Sequence, residues 1–308
     1  MIKLRNYDNW KEWEGASEGS GRSEKIWLCN EKGAKGIFKF PKTVDRKTLL
    51  PNSTEFISEH LAYLIAEKLN LKSAQVEIGY RDGRIGCMSK SFLKENQVLE
   101  HGVEFITLIY PNFNIDKLFD PETKTFYSYD MIYNSMYNVY KNTDVMETFI
   151  YQFVRMMIFD MLIGNTDRHQ QNWGIVKSSE NEFVSMSPLY DNGSSLCAYV
   201  PNSAIKSYLG NDEQRLKSLT DSKSTSRIRI DKDIKKEPKH SEVVKFLCEK
   251  HKEISLEFAV QIENSITRDW VDKVLEEYPS NILTDEKKKL ISIFICEKIE
   301  LLKKIFKM

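Results

Sequence analysis

The pattern of apolar and polar positions changes along the chain, from short alternating segments to longer helical ones. "IWLCN" and "IFKFP" flank a glycine-containing turn, and a period of two in the second segment places Phe38 and Phe40 on one face and Lys39 on the other. Pro41 ends that strand. Two more alternating runs surround "RDG" at residues 81–83 and predict a second hairpin.

Helical spacing dominates two other stretches. Residues 52–71 carry apolar side chains at helical intervals behind Ser and Thr cap candidates, which predicts an amphipathic helix. "METFIYQFVRMMIFDMLIG" predicts a long buried helix that Gly164 ends as a C-terminal cap. The aromatic segment "YSYDMIYNSMYNVY" predicts an irregular helix. "WGIVKSS" and "EFVSMSPLYD" predict two short strands.

These elements predict an α+β protein with two lobes. Residues 1–95 form the expected small β-rich lobe with one helix and a Gly/Ser-rich loop, and residues 96–308 the expected larger, mainly helical lobe.

Composition narrows the class of protein. The 308 residues include 45 Lys plus Arg and 45 Asp plus Glu, so no overall charge attracts nucleic acid, and we expect no nucleic-acid partner. The 5 cysteines are scattered without a C-x-x-C pair, which is typical of reduced thiols. Neither a signal peptide nor a membrane-spanning run is present, so we expect a soluble protein, cytoplasmic at synthesis, with export by another route left open. The basic stretch at residues 223–239 predicts a solvated loop.

The segment "GNTDRHQQNW" contains the first candidate chemistry. Asp167 and Asn172 stand five positions apart on a predicted tight loop, the separation at which a kinase uses an Asp for the acceptor hydroxyl and an Asn for magnesium. The alternative is that both side chains only satisfy a buried turn. His169, between them, is either a phosphate-site residue or a brace for the loop.

The segment "YDNG" contains a second candidate. Asp191 leaves a predicted strand and is followed two positions later by Gly193, where a carboxylate can bind magnesium and the glycine allows a sharp turn. It resembles the D-F-G element of kinases, with Asn192 in place of Phe.

Lys39 is the third candidate because it lies on a strand after a Gly/Ser-rich loop and before an acidic helix. A lysine there neutralises phosphate charge if a helix carboxylate holds it, and the helix offers Glu55, Glu59 and Glu67. Lys42 is a rival, but it follows Pro41.

"LIGNTDRHQQNWGI" together with "PLYDNGSS" resembles the HipA-like serine/threonine kinase family. The resemblance implies a two-lobed protein-kinase-like fold that uses ATP and Mg2+ to phosphorylate protein substrates, whose identity stays open. It implies that Asp167 is the catalytic base, that Asn172 and Asp191 hold magnesium, and that His169 lies near the nucleotide phosphates.

The resemblance extends to the first lobe. "GRSEKIWL" is similar to the family's phosphate loop, with Gly19, Ser20 and Gly21 as nucleotide-binding residues. Lys39 matches the family's phosphate-binding lysine, and Glu59, seven positions before Ala66, matches its helix acid. Autophosphorylation is expected on loop serines, for which the candidates are Ser17, Ser20 and Ser23.

Other functions stay open. "DRHQQN" followed by D-x-G also resembles the phosphatidylinositol-kinase loop, so a lipid or small-molecule kinase is the alternative. A non-catalytic scaffold is the third hypothesis. HipA toxins carry a subdomain ahead of the kinase body that has no counterpart before this Gly-rich loop, so pairing with the usual antitoxin is not expected.

Overall fold

The computed structural model describes residues 1–13, 24–41, 53–141, 143–180, 182–210 and 212–308. They form two compact units, each built from several chain segments. The first unit contains Met1–Phe92, Tyr190–Leu216 and Ser265–Cys296, and the second contains Leu93–Leu189, Lys217–Asn264 and Glu297–Met308. The lobe division after residue 95 stays a prediction.

The strands of the described residues lie in three sheets. They are β1 (Arg5–Asn6), β2 (Lys11–Glu12), β3 (Lys25–Cys29), β4 (Lys35–Lys39), β5 (Val76–Arg81), β6 (Arg84–Lys90), β7 (Gln97–His101), β8 (Phe119–Asp120), β9 (Thr125–Phe126), β10 (Gly174–Ser178) and β11 (Phe183–Met186).

The helices of the same part of the chain follow in this order: α1 (Glu55–Lys68), α2 (Gly102–Ile109), α3 (Tyr129–Tyr140), α4 (Thr143–Ile163), α5 (Asn202–Leu209), α6 (Glu213–Lys217), α7 (His240–Lys250), α8 (Lys252–Ser265), α9 (Arg268–Glu276) and α10 (Asp285–Phe306), with a π-helical turn at Ser218–Ser222. The predicted α+β class is confirmed.

A six-stranded sheet forms the centre of the first unit, in the order β1-β5-β6-β4-β3-β2. The predicted hairpins are confirmed as β3–β4 and β5–β6. Among the strand pairs described in this sheet, β1 and β5 run parallel and the others antiparallel. The sequence did not predict β1 and β2, because two residues are too short for an alternating pattern.

The two faces of this sheet differ as the alternation in β4 predicts. A buried apolar cluster on one face contains Tyr7, Leu28, Phe38, Phe40 and Met88. Lys39 alternates with Phe38 and Phe40 and points to the other face. The lysine is thereby directed away from the apolar cluster.

Helix α1 confirms the predicted helix, but not the predicted division into an apolar and a polar side, because residues 56–62 are buried without interruption. Phe56, Ile57, Leu61 and Ile65 are among its buried apolar residues. Thr54 precedes it, but its side chain makes no cap hydrogen bond, and its backbone N–H instead donates to the carbonyl of Ala198 at 3.1 Å. Glu59 is buried on this helix, at 3% exposure, which requires a partner for its charge.

The second unit contains the sheet β11-β10-β7, the pair β8–β9 and the long helix α4. Phe149, Phe153 and Phe159 of α4 are fully buried, as the apolar run predicts. Gly164 follows with φ of 66°, the left-handed conformation that ends the helix. The described residues contain no helix that is long and apolar enough to cross a membrane.

The basic stretch at residues 223–239 is only in part the solvated loop that its polarity predicts, because residues 231–236 are exposed but the segment before them is partly buried. Ser224, Ser226 and Arg229 are buried. The Arg229 guanidinium donates to the carbonyls of Lys235 at 2.9 Å and Arg227 at 3.2 Å. The loop therefore uses an arginine to satisfy its own buried backbone, a function that composition does not reveal.

Candidate active site

Lys39, Glu59 and Asp191 form an ion-pair cluster within the first unit. The Lys39 ammonium lies 2.5 Å from Oε1 of Glu59 and 2.8 Å from Oδ1 of Asp191. The Lys39 and Glu59 side chains are 16% and 4% exposed, whereas that of Asp191 is 46% exposed. The Lys39–Glu59 pair of this cluster is therefore buried, whereas the Asp191 carboxylate is about half exposed to solvent.

The pKa of Lys39 reflects these neighbours. Burial lowers it, but the carboxylates of Asp191 and Glu59 outweigh burial and raise the pKa well above its usual value. The lysine is therefore a permanent cation, which is the state that binds phosphate.

Glu59 also holds the segment that carries Asp191. Its second oxygen, Oε2, accepts a hydrogen bond from the backbone N–H of Asn192 at 2.9 Å. Glu55 makes different contacts, with Ser53 Oγ at 2.8 Å and Tyr199 OH at 2.5 Å. Of the helix acids that the sequence offers, the structure brings Glu59 to Lys39.

The sharp turn of "YDNG" lies at Asp191 and not at Gly193, which corrects the expectation for the glycine. Asp191 has φ of 55°, a conformation that aspartate tolerates better than most residues. A Cβ added at Gly193 would meet only atoms at ordinary contact distance, the nearest 3.5 Å away in Glu55 and Glu59. The backbone therefore does not require glycine at position 193.

Further contacts in the first unit fix the segment after Asp191. Ser195 Oγ donates to the carbonyl of Asn192 at 2.6 Å, and Ser58 Oγ of α1 donates to the carbonyl of Ser195 at 3.0 Å. The buried ammonium of Lys287 donates to the carbonyls of Cys197 and Val200. The carboxylate of Asp191 is consequently held by a well-supported backbone.

The loop after α4 carries Asp167 and Asn172 in the second unit. The Asn172 amide nitrogen donates to the Asp167 carbonyl at 2.9 Å, and the Asp167 N–H donates to Oδ1 of Asn165 at 3.1 Å. Since the nitrogen of its side-chain amide is used within the loop, the amide oxygen is the atom of Asn172 that could bind a metal ion. The Asp167 carboxylate is 33% exposed.

A buried ion pair that sequence reasoning missed supports this loop. Arg168 Nε lies 2.9 Å from Oδ2 of Asp160, and its NH2 lies 2.7 Å from Oδ1. Arg168 NH1 also donates to the carbonyl of Asn172 at 2.7 Å. The sequence did contain one indication of this ion pair. Asp160 is a carboxylate within the apolar run of α4, and a buried carboxylate requires a buried cation.

His169 takes part in the local bonding of the loop. Its backbone N–H donates to the Asp167 carbonyl at 2.8 Å, and its Nδ1 accepts from the N–H of Gln171 at 3.2 Å. These bonds agree with a bracing role, and its place near the nucleotide phosphates stays a prediction.

Arg227 is the second residue that sequence reasoning missed. Its NH2 lies 3.4 Å from Oδ1 of Asp167, and its NH1 lies 2.9 Å from Oε1 of Glu237. A guanidinium therefore adjoins the carboxylate that the kinase hypothesis treats as the base.

The remaining candidates lie outside the described residues. They are Gly19, Ser20 and Gly21 of the phosphate loop, the serines Ser17 and Ser23, and Lys42. Within the part of the chain that the structure describes, no group of three or more His, Cys, Asp and Glu side chains could hold a metal ion.

Comparisons with known proteins agree with this fold. Residues 17–270 match the model of the HipA-like C-terminal domain. The serine/threonine-protein kinase CtkA of Helicobacter pylori strain J99 is 24% identical over 178 residues, which cover 58% of this chain and 52% of that protein. The sequence match thus spans about half the length of this relative.

Solved structures show the same architecture. The crystal structure of the Helicobacter pylori proinflammatory kinase CtkA superimposes with a TM-score of 0.80 at 17% identity and covers 99% of both chains. HipA of Shewanella oneidensis MR-1, in its complex with HipB and operator DNA, superimposes with a TM-score of 0.58 at 13% identity, over 95% of this chain and 66% of that one.

The fold is that of a kinase-like α+β protein. The chain belongs to the HipA-like C-terminal domain family.

Proposed function

We propose that the protein is an ATP- and Mg2+-dependent serine/threonine protein kinase that also phosphorylates itself. The observation that carries the proposal is the cluster of Lys39, Glu59 and Asp191. In protein kinases, a strand lysine held by a helix glutamate binds the phosphates, and an Asp two positions before a Gly holds magnesium, and Lys39, Glu59 and Asp191 resemble that arrangement. The names of the relatives agree with this class of enzyme.

Lys39 binds phosphate oxygens in this proposal, and Glu59 orients it. The 4% exposure of the Glu59 side chain and its bond to the Asn192 backbone leave the acid little freedom, so the ammonium is preorganised. Gly19, Ser20 and Gly21 bind the phosphates with their backbone amides, and His169 contributes at the same phosphates.

Asp191 and the amide oxygen of Asn172 are the proposed magnesium ligands. Mg2+ prefers oxygen donors and is commonly held by one or two protein carboxylates, with phosphates and water completing its shell. The donor set of these two residues fits that preference, and the 46% exposure of Asp191 leaves room for a metal ion.

Asp167 is the proposed base. ATP and Mg2+, when bound, supply the phosphoryl group and neutralise its charge. Asp167 orients the acceptor hydroxyl and takes its proton, while the hydrogen bonds to Asn165 and Asn172 hold the loop.

The test is incubation of the purified protein with γ-labelled ATP and Mg2+, followed by phosphopeptide mapping. The wild type is compared with Asp167→Asn, Asp191→Asn and the control Asp116→Asn, which changes an exposed aspartate of the second unit. We expect label in the wild type and the control, including serines of residues 17–23, and at least about a hundredfold less in the other two.

Other outcomes separate the alternatives. If Asp167→Asn transferred phosphate normally with unchanged ATP affinity, Asp167 would not be the catalytic base. Label on lipid vesicles but on no protein would favour a lipid kinase. ATP binding without transfer to any acceptor would favour a scaffold.

A further inference from the structure

Arg227 projects from a well-held segment of the second unit. Ser226, directly before it, is buried, and its backbone N–H donates to the carbonyl of Pro238 at 2.9 Å. On the other side, the backbone N–H of the buried Arg229 donates to the carbonyl of Tyr127 at 3.1 Å. The backbone is thus fixed on both sides of Arg227, which limits where its guanidinium can lie.

The guanidinium of Arg227 is engaged at two of its nitrogens. NH1 donates to Oε1 of Glu237 at 2.9 Å, which is an ordinary hydrogen-bond length, and NH2 lies 3.4 Å from Oδ1 of Asp167. Because the guanidinium is planar and rigid, the bond at NH1 also sets the direction of NH2. Glu237 therefore anchors one end of the group while the other end faces Asp167.

Arg227 is the residue of the described chain that contacts the carboxylate of Asp167. The other hydrogen bonds of Asp167 use its backbone, whose N–H donates to Asn165 and whose carbonyl accepts from Asn172. Since Oδ1 faces the guanidinium, Oδ2 is the oxygen left for an acceptor hydroxyl. The backbone of Asp167 is thus held by its own loop, and a cation from another segment orients its carboxylate.

The geometry of this ion pair suits a role in catalysis better than a role in folding. The side chains of Arg227 and Asp167 are 39% and 33% exposed, and ion pairs with this much exposure contribute little to stability. Orientation of a base has a larger effect, because a misplacement of about 1 Å can cost about a hundredfold in rate. The pair can therefore matter for transfer although it is weak.

We propose that Arg227, anchored by Glu237, is a positioning residue for the base, holding Oδ1 of Asp167 so that Oδ2 receives the acceptor hydroxyl. In the transfer from ATP to the acceptor oxygen, which releases ADP, Oδ2 takes the hydroxyl proton. The inference rests on the proposed function and deepens it, because Arg227 lies outside every motif that indicates a kinase. Arg227 acts through Asp167.

The first experiment measures self-labelling from γ-labelled ATP and Mg2+ over a range of ATP concentrations. The variants are Arg227→Met, Arg227→Lys, Glu237→Ala and the control Lys236→Met, which changes an exposed lysine of the same loop. We expect Arg227→Met to lower the maximal rate by about tenfold or more and to leave the KM for ATP within about twofold. Arg227→Lys and Glu237→Ala should give smaller losses, since each retains a cation, and Lys236→Met should behave like the wild type.

The second experiment tests whether Arg227 acts through Asp167. It compares Asp167→Asn and Arg227→Met with the double variant that carries both substitutions. If the guanidinium works only by orienting the carboxylate, the double variant should transfer no more slowly than Asp167→Asn alone. Urea unfolding of each variant should give midpoints close to that of the wild type. Arg227→Lys replaces Arg227→Met in this comparison if the methionine variant does not fold.

Four results would overturn the assignment of Arg227 while the kinase proposal stands. They are a wild-type rate in Arg227→Met, a raised KM for ATP at an unchanged maximal rate, a full further loss in the double variant, and a loss of rate that only follows a loss of stability.

Two other results affect the proposed function itself. If Asp167→Asn transfers phosphate normally, the base is wrongly assigned and the role of Arg227 fails with it. If the folded wild type transfers no phosphate, both proposals fail.

Discussion

Arg168 and Asp160 form a two-point ion pair beneath the loop that carries Asp167, with both Asp160 oxygens bound by one guanidinium. Arg168 is 1% exposed and Asp160 4% exposed. A bidentate pair of this kind restricts the orientation of both side chains. The buried cation thereby links α4 to the loop, since Arg168 also binds the Asn172 carbonyl.

Asp160→Asn is expected to destabilise the protein strongly. The substitution leaves the charge of Arg168 buried without its counter-ion, and breaking such a pair costs about 3–5 kcal/mol. Urea unfolding measures the loss. In the double variant Asp160→Leu with Arg168→Met the charge is absent, so we expect it to be more stable than Asp160→Asn. A single variant as stable as the wild type would show that the pair contributes little.

Glu59→Gln is expected to reduce phosphoryl transfer by at least about tenfold, because the glutamine amide binds the Lys39 ammonium without a charge. The change is nearly isosteric, but glutamine has a single acceptor oxygen, which can serve the Lys39 ammonium or the Asn192 N–H and not both, so one of these two contacts is also lost. Transfer from γ-labelled ATP at several ATP concentrations measures the effect. Glu67→Gln, on an exposed position of the same helix, is the matched control and should behave like the wild type. Full activity of Glu59→Gln would show that Glu59 does not contribute to phosphoryl transfer.

Gly193→Ala and Gly164→Ala are expected to differ in their effect on the free energy of unfolding. Gly193 lacks a positive φ and has only ordinary contacts around its position, so alanine should change the free energy of unfolding by less than about 0.5 kcal/mol. Gly164 has φ of 66°, where alanine costs about 1 kcal/mol or more. Thermal or urea unfolding of both variants measures the difference. A loss for Gly193→Ala as large as that expected for Gly164→Ala would show that position 193 does require glycine.

Local patterns in the sequence predicted the elements that carry the candidate residues. The alternation in β4 predicted which face Lys39 occupies, and helical spacing predicted α1 and α4. Such patterns depend on residues within a few positions of one another, and they can therefore be recognised without knowledge of the fold.

Contacts between distant positions were not predictable in the same way. Arg227 lies 60 positions from Asp167, and Asn192 lies 133 positions from Glu59. The register that opposes Lys25 to Lys39 depends on the length of the turn between β3 and β4. Asp160 was the exception. A carboxylate in an apolar helix predicts a buried cationic partner, although the sequence does not identify which residue that partner is.

His60, next to Glu59 on α1, is expected to make stability depend on pH. Its Nδ1 lies 2.8 Å from Tyr278 OH, and burial lowers its pKa to about 4, against a smaller opposing effect of Glu77. The ordinary histidine pKa is about 6.5. Between these values the unfolded chain binds a proton that the folded chain does not, so stability falls as pH falls from about 6.5 to about 4. The pKa difference corresponds to about 3 kcal/mol.

His60→Gln isolates this contribution, because glutamine stays neutral and still offers Tyr278 a hydrogen-bond partner. His240 is also buried, and its burial lowers its pKa to about 3. It therefore also makes stability fall as pH falls, but it is present in both proteins. Urea unfolding at pH 7 and at pH 4 gives the loss of stability for each protein. The wild type should lose about 3 kcal/mol more than His60→Gln over this interval. Equal losses would show that folding does not lower the pKa of His60, and its burial against Tyr278 would then not control its charge.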